Sequence, residues 1–333
     1  MKHEIYKFLN IINKSKNNIK RKINILLPEL YEIFILNPTK KEKDKLCKAS
    51  LSKELKSLME QKPFPLPTEI EIETRNRCNA DCDFCPINKN IDPREFAKMD
   101  DELFYSIISQ LKELNYSGYI ACYSNNEPLL DKRIFDFVEH IKQELPNAKN
   151  FLFTNGILLN LEKFRHLMLY LDYLVIDNYY EDNESINENI KEIAEYCLKD
   201  KKLQSKVKIQ PINKHMIRTN RGGNAKNRKH TYRIQSSCLW PFSQIVIRPT
   251  GQLSLCCNDA LGSMTMGDLT KERLIDIWRG EKYMKLRRSL LETRQTVDLC
   301  AKCDNFGLIK RDEAVGVYKI GQNWKKIKEL LET

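Results

Sequence analysis

Seven of the chain's eleven cysteines fall into two groups whose spacing suits metal chemistry. Cys78, Cys82 and Cys85 form a CxxxCxxC run with Phe84 directly before the last thiol. Three thiolates hold three irons of a four-iron cube and leave the fourth iron open. An open position is what separates a catalytic metal site from a structural one. Cys238, Cys256, Cys300 and Cys303 are spread along the C-terminal third, the last two as a CxxC pair. Four thiols close a site, which leaves structural support or electron transfer as its roles. Zinc is the alternative for both groups. It usually takes four ligands and favours CxxC pairs, a spacing that only Cys82 and Cys85 meet in the first group but that the second group suits better. Cys47, Cys122 and Cys197 sit on apolar-patterned segments, as buried inert thiols do. Cys257 adjoins Cys256 and has three readings: alternative ligand, buried thiol or hydrogen-atom donor.

The elements that must position these groups follow from periodicity. Pro63, Pro65 and Pro67 cannot propagate a helix and mark an extended linker, after which a domain begins. Ile70, Ile72 and Thr74 alternate with Glu69, Glu71 and Glu73, the period of a half-buried strand running towards Cys78. Four further strands are expected at 118–123, 150–154, 173–177 and 207–210. Three helical faces lie among them: Leu103, Ile107, Leu111 and Leu114; Ile134, Val138, Ile141 and Leu145; Ile186, Ile190, Ile193 and Cys197. Strand-helix alternation implies an α/β fold with parallel strands and right-handed crossovers, closing fully or partly into a barrel. The loops after the strands then share one rim, where catalysis takes place. Cys78, Asn125 to Glu127, Asn155 with Gly156, and Asp177 with Asn178 all fall on such loops.

Residues 1–67 hold 15 Lys and Arg against 7 Asp and Glu, +8 of the net +11. Ile5, Phe8, Leu9 and Ile12, then Ile19, Ile23, Leu26 and Leu30, predict a basic helical extension interrupted at Pro28 and Pro38. Docking on the protein's own barrel is favoured over membrane or nucleic-acid contact. No apolar run suits a bilayer and no secretory signal is evident, so a cytoplasmic location is expected, where thiols persist as potential ligands rather than disulfides.

The CxxxCxxC run with its aromatic resembles the signature of the radical S-adenosylmethionine (SAM) superfamily, and the resemblance covers about residues 68–235. It implies a partial (β/α)6 barrel, a [4Fe-4S] cluster on Cys78, Cys82 and Cys85, and reductive cleavage of bound SAM to a 5′-deoxyadenosyl radical that removes hydrogen from a substrate. Ser124-Asn125-Asn126-Glu127-Pro128 is similar to the family's Gly-Gly-Glu-Pro element, which holds the SAM ammonium. Two Asn replace the glycines, and Asn only partly shares glycine's freedom at positive φ. Thr154-Asn155-Gly156 resembles the family's third-strand ending, and Asp177 falls where polar residues reach the SAM ribose. Each of these is, by itself, also ordinary loop punctuation.

The later cysteines, at 236–307, resemble the twitch domain, the shortened SPASM form, which implies a second, auxiliary [4Fe-4S] cluster on Cys238, Cys256, Cys300 and Cys303. Gly267-Asp268-Leu269, the helix with Leu274, Ile277 and Trp278, and the segment from Tyr283 to Arg287 agree with that domain's order of parts. A C-terminal helical tail, 308–333, completes the expected organisation. Arg221, in Arg221-Gly222-Gly223-Asn224, is similar to an arginine that touches substrate or SAM in twitch dehydrogenases, and equally suits a basic surface loop beside Arg218, Lys226, Arg228 and Lys229. Asp259 suits either a base for a substrate hydroxyl or a turn cap. The function implied is oxidation of a carbinol of a small sugar or polyol, with the auxiliary cluster as electron acceptor and a flavodoxin or ferredoxin as donor. A redox-neutral epimerase and a peptide-modifying enzyme are the enzymatic alternatives, and a zinc-stabilised binding module is the non-enzymatic one.

Overall fold

The computed structural model describes residues 27, 31, 37–182, 184–226, 232–307 and 324–332. The expected apolar stripes of residues 5–30, Arg228 and Lys229, and most of the expected tail lie outside them. The order is α1 (Asn37–Glu60), β1 (Glu69–Ile72), α2 (Asp101–Glu113), β2 (Tyr119–Ala121), α3 (Ile134–Glu144), β3 (Lys149–Thr154), α4 (Leu161–Tyr170), β4 (Tyr173–Tyr180), α5 (Glu188–Leu198), α6 (Lys201–Lys206) and β5 (Val207–Asn213). There follow α7 (Trp240–Ser243), β6 (Gln244–Ile247), β7 (Gln252–Ser254), β8 (Thr265–Asp268), α8 (Leu274–Arg279), α9 (Glu281–Glu292), α10 (Asp298–Lys302) and α11 (Trp324–Leu331).

One sheet runs β5-β4-β3-β2-β1-β6-β7-β8. The first six strands in that order are parallel, β7 runs antiparallel to β6, and β8 runs antiparallel to β7. The five expected strands are all present. The sixth parallel strand, which the (β/α)6 resemblance implies but periodicity does not locate, is β6: Gln-Ile-Val-Ile is too short for a period of two to stand out. It pairs with β1 in the register Glu69↔Gln244 to Ile72↔Ile247, so the sheet passes without a break from the first cysteine region into the second.

The helices cover the sheet through faces that contain the assigned Ile107, Leu111, Ile134, Val138 and Ile141, joined by Phe104, Ile108 and Phe137, while Leu103 and Leu114 are only partly buried. Phe104, Ile107, Ile108 and Leu111 of α2 and Ile134, Phe137, Val138 and Ile141 of α3 are buried in one core, with Phe104 and Phe137 stacked at 3.9 Å. Each such side chain contributes about 1.5–3 kcal/mol relative to exposure. Strand β1 departs from expectation, because all four of its residues are buried. Ile70 and Ile72 join the helical core, while Glu69 and Glu71 border an internal cavity. A strand central in a parallel sheet has no solvent face, and here its second face is a polar interior.

Pro38 does not interrupt a helix; it lies in the first turn of α1, where a missing N–H costs nothing. This helix docks on the protein itself. Leu51 and Leu55 enter the main core, Lys40 Nζ lies 2.5 Å from Asp304 Oδ2, and Asp44 accepts the backbone N–H groups of Gln235 and Ser236, both at 2.9 Å. The proline run is packed rather than free, since Phe64 is buried against Trp278 and the carbonyl of Pro65 accepts the Trp278 indole N–H at 2.8 Å. Among the described residues no helix is long and apolar enough to cross a membrane.

Candidate active site

A cavity of about 680 Å³ opens inside the parallel arc, a size that suits a cofactor and a small substrate. Cys78, Cys82 and Cys85 stand on its wall, on the loop that leaves β1. The loop is fixed by its own backbone and by β5. Cys85 N–H donates to Cys82 O at 3.1 Å, Asn88 Nδ2 to Cys82 O at 3.0 Å, and Asp83 N–H to Lys214 O at 3.0 Å. Phe84 packs 6.1 Å from Tyr179, with the Arg218 guanidinium 5.3 Å over its ring. Burial pushes the Cys78 thiol up to about 12, and burial with the neighbouring thiols raises Cys82 further. The Ala80 N–H and Asn155 Nδ2 both point at Cys78 Sγ, at 3.4 and 3.8 Å, as donors to a thiolate would.

Glu127 is anchored by the protein. Its carboxylate accepts Thr154 Oγ1–H at 2.7 Å, Asn155 N–H at 2.7 Å and Leu129 N–H at 3.0 Å, which ties the exit of β2 to that of β3. Burial raises it to about 7 against the pull of those donors. A carboxylate has about four acceptor sites, so these three donors leave one unfilled on a residue that lines the cavity. Gly156, at φ +73°, follows directly, and a Cβ there would sit 2.8 Å from Ile190 Cδ1. Neither Asn125 nor Asn126 has positive φ, so replacing the family's glycines strains nothing. Asn126 Nδ2 and Arg221 Nε are buried donors on this wall with no partner among the described residues, and both await an acceptor.

Asp177 lines the cavity, bonded by Gln210 and by Tyr179 Oη at 3.5 Å, and burial raises its carboxyl. Arg221 also lines the cavity, where its Nη2 donates to Asn125 Oδ1 and, at 3.0 Å, to Cys257 O. Asp259 is corrected: it is wholly buried away from the cavity, and its carboxylate accepts Ser263 N–H and Oγ–H at 2.7 Å and Met264 N–H at 3.1 Å. Those donors, with Leu255 N–H at 3.4 Å as a fourth, make it a turn cap.

Cavity residues that the sequence did not single out as site groups include Glu71 and Gln244. Ser124 Oγ donates to Glu71 at 2.7 Å, and Gln244 bridges Glu69, Glu71 and the Cys257 N–H, the last at 2.9 Å. Burial raises Glu71 to about 7, opposed by Ser124, Arg221 and Tyr123. The available signal was acids alternating along a strand that parallel pairing buries on both faces.

Cys238, Cys256, Cys300 and Cys303 are all buried and lie close enough to raise one another's thiols, burial being the larger cause, with Cys303 at about 11. Their surroundings are shaped for sulfur. Gly307, at φ +57°, would place a Cβ 2.2 Å from Cys238 Sγ. The buried Arg294 guanidinium donates to the carbonyls of Ser236, Ser237 and Asn305 at 2.7, 2.8 and 2.9 Å, and its charge opposes the rise of Cys238, Cys300 and Cys303. Two soft donor sets, one of three thiols opening on a cavity and one of four closed by packing, fit iron-sulfur clusters.

Comparison with known proteins agrees with this geometry. Residues 72–202 match the radical SAM superfamily, and residues 238–304 match SPASM, an iron-sulfur cluster-binding domain. Residues 72–202 thus resemble a radical SAM core and residues 238–304 a SPASM-type domain, and the two matches imply [4Fe-4S] clusters and S-adenosyl-L-methionine as cofactors. Among similar proteins, the S-adenosyl-L-methionine-dependent 2-deoxy-scyllo-inosamine dehydrogenase of Niallia circulans is 27% identical over 242 residues, 72% of this chain and 93% of that one. The crystal structure of BtrN in complex with AdoMet and 2-DOIA is 27% identical with a TM-score of 0.63, covering 72% of this chain and 94% of that one. An open conformation of BtrN, 23% identical over the same shares, gives a TM-score of 0.55 and supports the fold.

Proposed function

We propose that this enzyme oxidises a secondary carbinol of a small polyhydroxylated ring to a ketone, with aminocyclitols such as 2-deoxy-scyllo-inosamine as the first substrate class. Cys78, Cys82 and Cys85 hold the cluster that binds SAM, and Cys238, Cys256, Cys300 and Cys303 hold the auxiliary one. Asn125, Asn126, Glu127, Asn155 and Asp177 line the SAM half of the cavity. The observation that carries the reading is that one cavity wall runs from the three-thiol loop to Cys257 and Asn258, directly after Cys256.

When bound, SAM with its cluster supplies removal of a hydrogen atom from carbon, and the auxiliary cluster supplies acceptance of one electron. The protein supplies the rest. Arg221 orients the carbinol oxygen by donating to it. Glu71, a carboxyl near neutrality on the same wall, accepts the hydroxyl proton as the C–O bond becomes a carbonyl. The balance is one hydrogen atom, one electron and one proton lost from the substrate. The burial that raises Glu71 keeps water from its carboxyl, and Ser124 and Gln244 fix its orientation.

Cys257 carries a second reading, because its thiol borders the same cavity and could return a hydrogen atom in an epimerisation. The test is anaerobic reconstitution with iron, sulfide and zinc analysis, then incubation with SAM, reductant and 2-deoxy-scyllo-inosamine in D₂O. About eight irons per chain are expected, with 5′-deoxyadenosine and a product lacking two hydrogens, all SAM cleavage being lost in Cys82→Ala. An inverted carbon centre carrying solvent deuterium establishes the epimerase instead. Bound zinc without SAM cleavage removes both readings.

A further inference from the structure

Helix α1 precedes both matched domains, yet Lys40 of this helix lies on the cavity wall, as does Tyr31 before it. Lys40 is buried and paired with Asp304, the residue after Cys303. The second oxygen of Asp304 accepts the backbone N–H of Asn220 at 2.8 Å. Asn220 returns the contact, its Oδ1 accepting the N–H of Asp304 at 3.1 Å and its Nδ2 donating to Lys302 O at 2.6 Å. The two loops are thereby clasped residue to residue.

The clasp adjoins a strained turn. Arg221, Gly222 and Gly223 stand at φ +52°, +66° and +93° in succession, a region that a residue with a Cβ rarely adopts. Gly222 is pressed against Leu299, where an added Cβ would lie 2.4 Å from Cδ1. Such a conformation persists only where surrounding contacts over-determine it. Its result is to send the Arg221 guanidinium to Asn125 and Cys257 O inside the cavity.

We propose that Lys40 is a positioning residue for Arg221: the N-terminal helix neutralises Asp304, Asp304 holds Asn220, and Asn220 holds the turn that aims the guanidinium. The catalytic consequence rests on the function proposed above, while the clasp itself does not. Hydrogen exchange on the full chain tests the clasp. In Lys40→Met the amides of residues 220–225 should exchange at least about tenfold faster, Asp304→Asn should do the same, and Lys40→Arg should restore protection. Should Lys40→Met fail to fold, Asp304→Asn reads the clasp from its other side. Leu55→Ala, in the core face of the same helix, should lower the Tm without selectively exposing 220–225. In reconstituted enzyme, Lys40→Met should raise KM for 2-deoxy-scyllo-inosamine about tenfold, while SAM cleavage without substrate keeps its rate. Unchanged exchange at 220–225 in both charge variants, or equal loss in Leu55→Ala, overturns the proposal. An unmutated enzyme that leaves 2-deoxy-scyllo-inosamine untouched counts against the substrate reading instead, and the exchange data still decide the clasp.

Discussion

Removal of the Glu127 carboxylate should weaken the fold as well as the hold on SAM. In Glu127→Ala the N–H groups of Asn155 and Leu129 lose their acceptor inside the protein, since Glu127 is 1% exposed and both bonds are 3.0 Å or shorter. An orphaned buried donor costs about 1–3 kcal/mol, so two cost about 2–6 kcal/mol. At an unfolding entropy of about 2.1 cal/mol/K per residue, a chain of 333 residues should lose about 3–9 °C in Tm. Glu127→Gln is the graded case. Its single carbonyl oxygen serves the Thr154 and Leu129 side, and its amide nitrogen then faces the Asn155 N–H, donor to donor. One lost acceptor predicts about 1.5–4 °C.

The assay is differential scanning of the apo protein, paired with SAM titration of the reconstituted one. A purely ligand-facing acid gives a different pattern: SAM affinity falls in both variants while the Tm stays within about a degree of the parent. That pattern would refute the tie between β2 and β3. A fall in Tm with unchanged SAM affinity would instead remove Glu127 from the SAM site.

Two further substitutions probe the four-thiol set and the cavity wall beside β1. Gly307→Ala brings a carbon to 2.2 Å from Cys238 Sγ at a left-handed φ, so the sulfur must retreat; iron should fall from about eight to about four per chain while SAM cleavage persists, and a full complement of iron would clear Gly307 of any role. Glu71, raised to about 7, faces Arg221, Ser124, Tyr123, Gln244 and Cys257, with Glu69 beyond Gln244. Its folded-state value is above the ordinary carboxyl range, so the base form is gained as pH rises through 7: substrate oxidation should climb from about pH 6 to 8 and level off. Glu71→Gln should abolish that climb and slow oxidation about 10²–10⁴-fold, and an unaltered pH profile in the variant would dismiss Glu71 as the base.

What the sequence made legible was local. CxxxCxxC is a spacing within one loop, CxxC spans the end of one short helix, and the Leu and Ile stripes are repeats within one helix, so none needs the rest of the chain. Glu71 was hidden for the opposite reason: alternation of Glu with Ile reads as one wet face and one dry face, and only the pairing of β1 with both β2 and β6 encloses its acidic face. Asp259 illustrates a second limit. A carboxylate beside a metal-binding cysteine suits catalysis and turn capping alike, and the choice was made by Ser263 and Met264, whose N–H groups lie four and five residues further on. Lys40 shows a third, since its partner is 264 residues away.

The reversal at β7 explains how the two cysteine sets come to lie towards opposite ends of β1. Strands β1 and β6 are parallel and in register, so both end on the rim that carries Cys78. A further parallel strand would need a crossover of a dozen residues or more and would deliver its own exit to that same rim. The chain instead turns at Gly251, at φ +83°, and β7 runs back beside β6, pairing Ser254 with Val246. Cys256 and Cys257 therefore follow β7 at the opposite end of β6, where Gln244 accepts the Cys257 N–H. Strand β1 spans four residues, about 10 Å of rise at about 3.3 Å per residue, so the two thiol sets flank it from its two ends. Glu69 and Glu71 line the cavity between them. A substrate lying along that strand has the three-thiol loop beyond one end, the four-thiol set beyond the other, and the proposed base at its side, which is the arrangement that an oxidation requiring a hydrogen atom, a proton and an electron to leave in different directions demands.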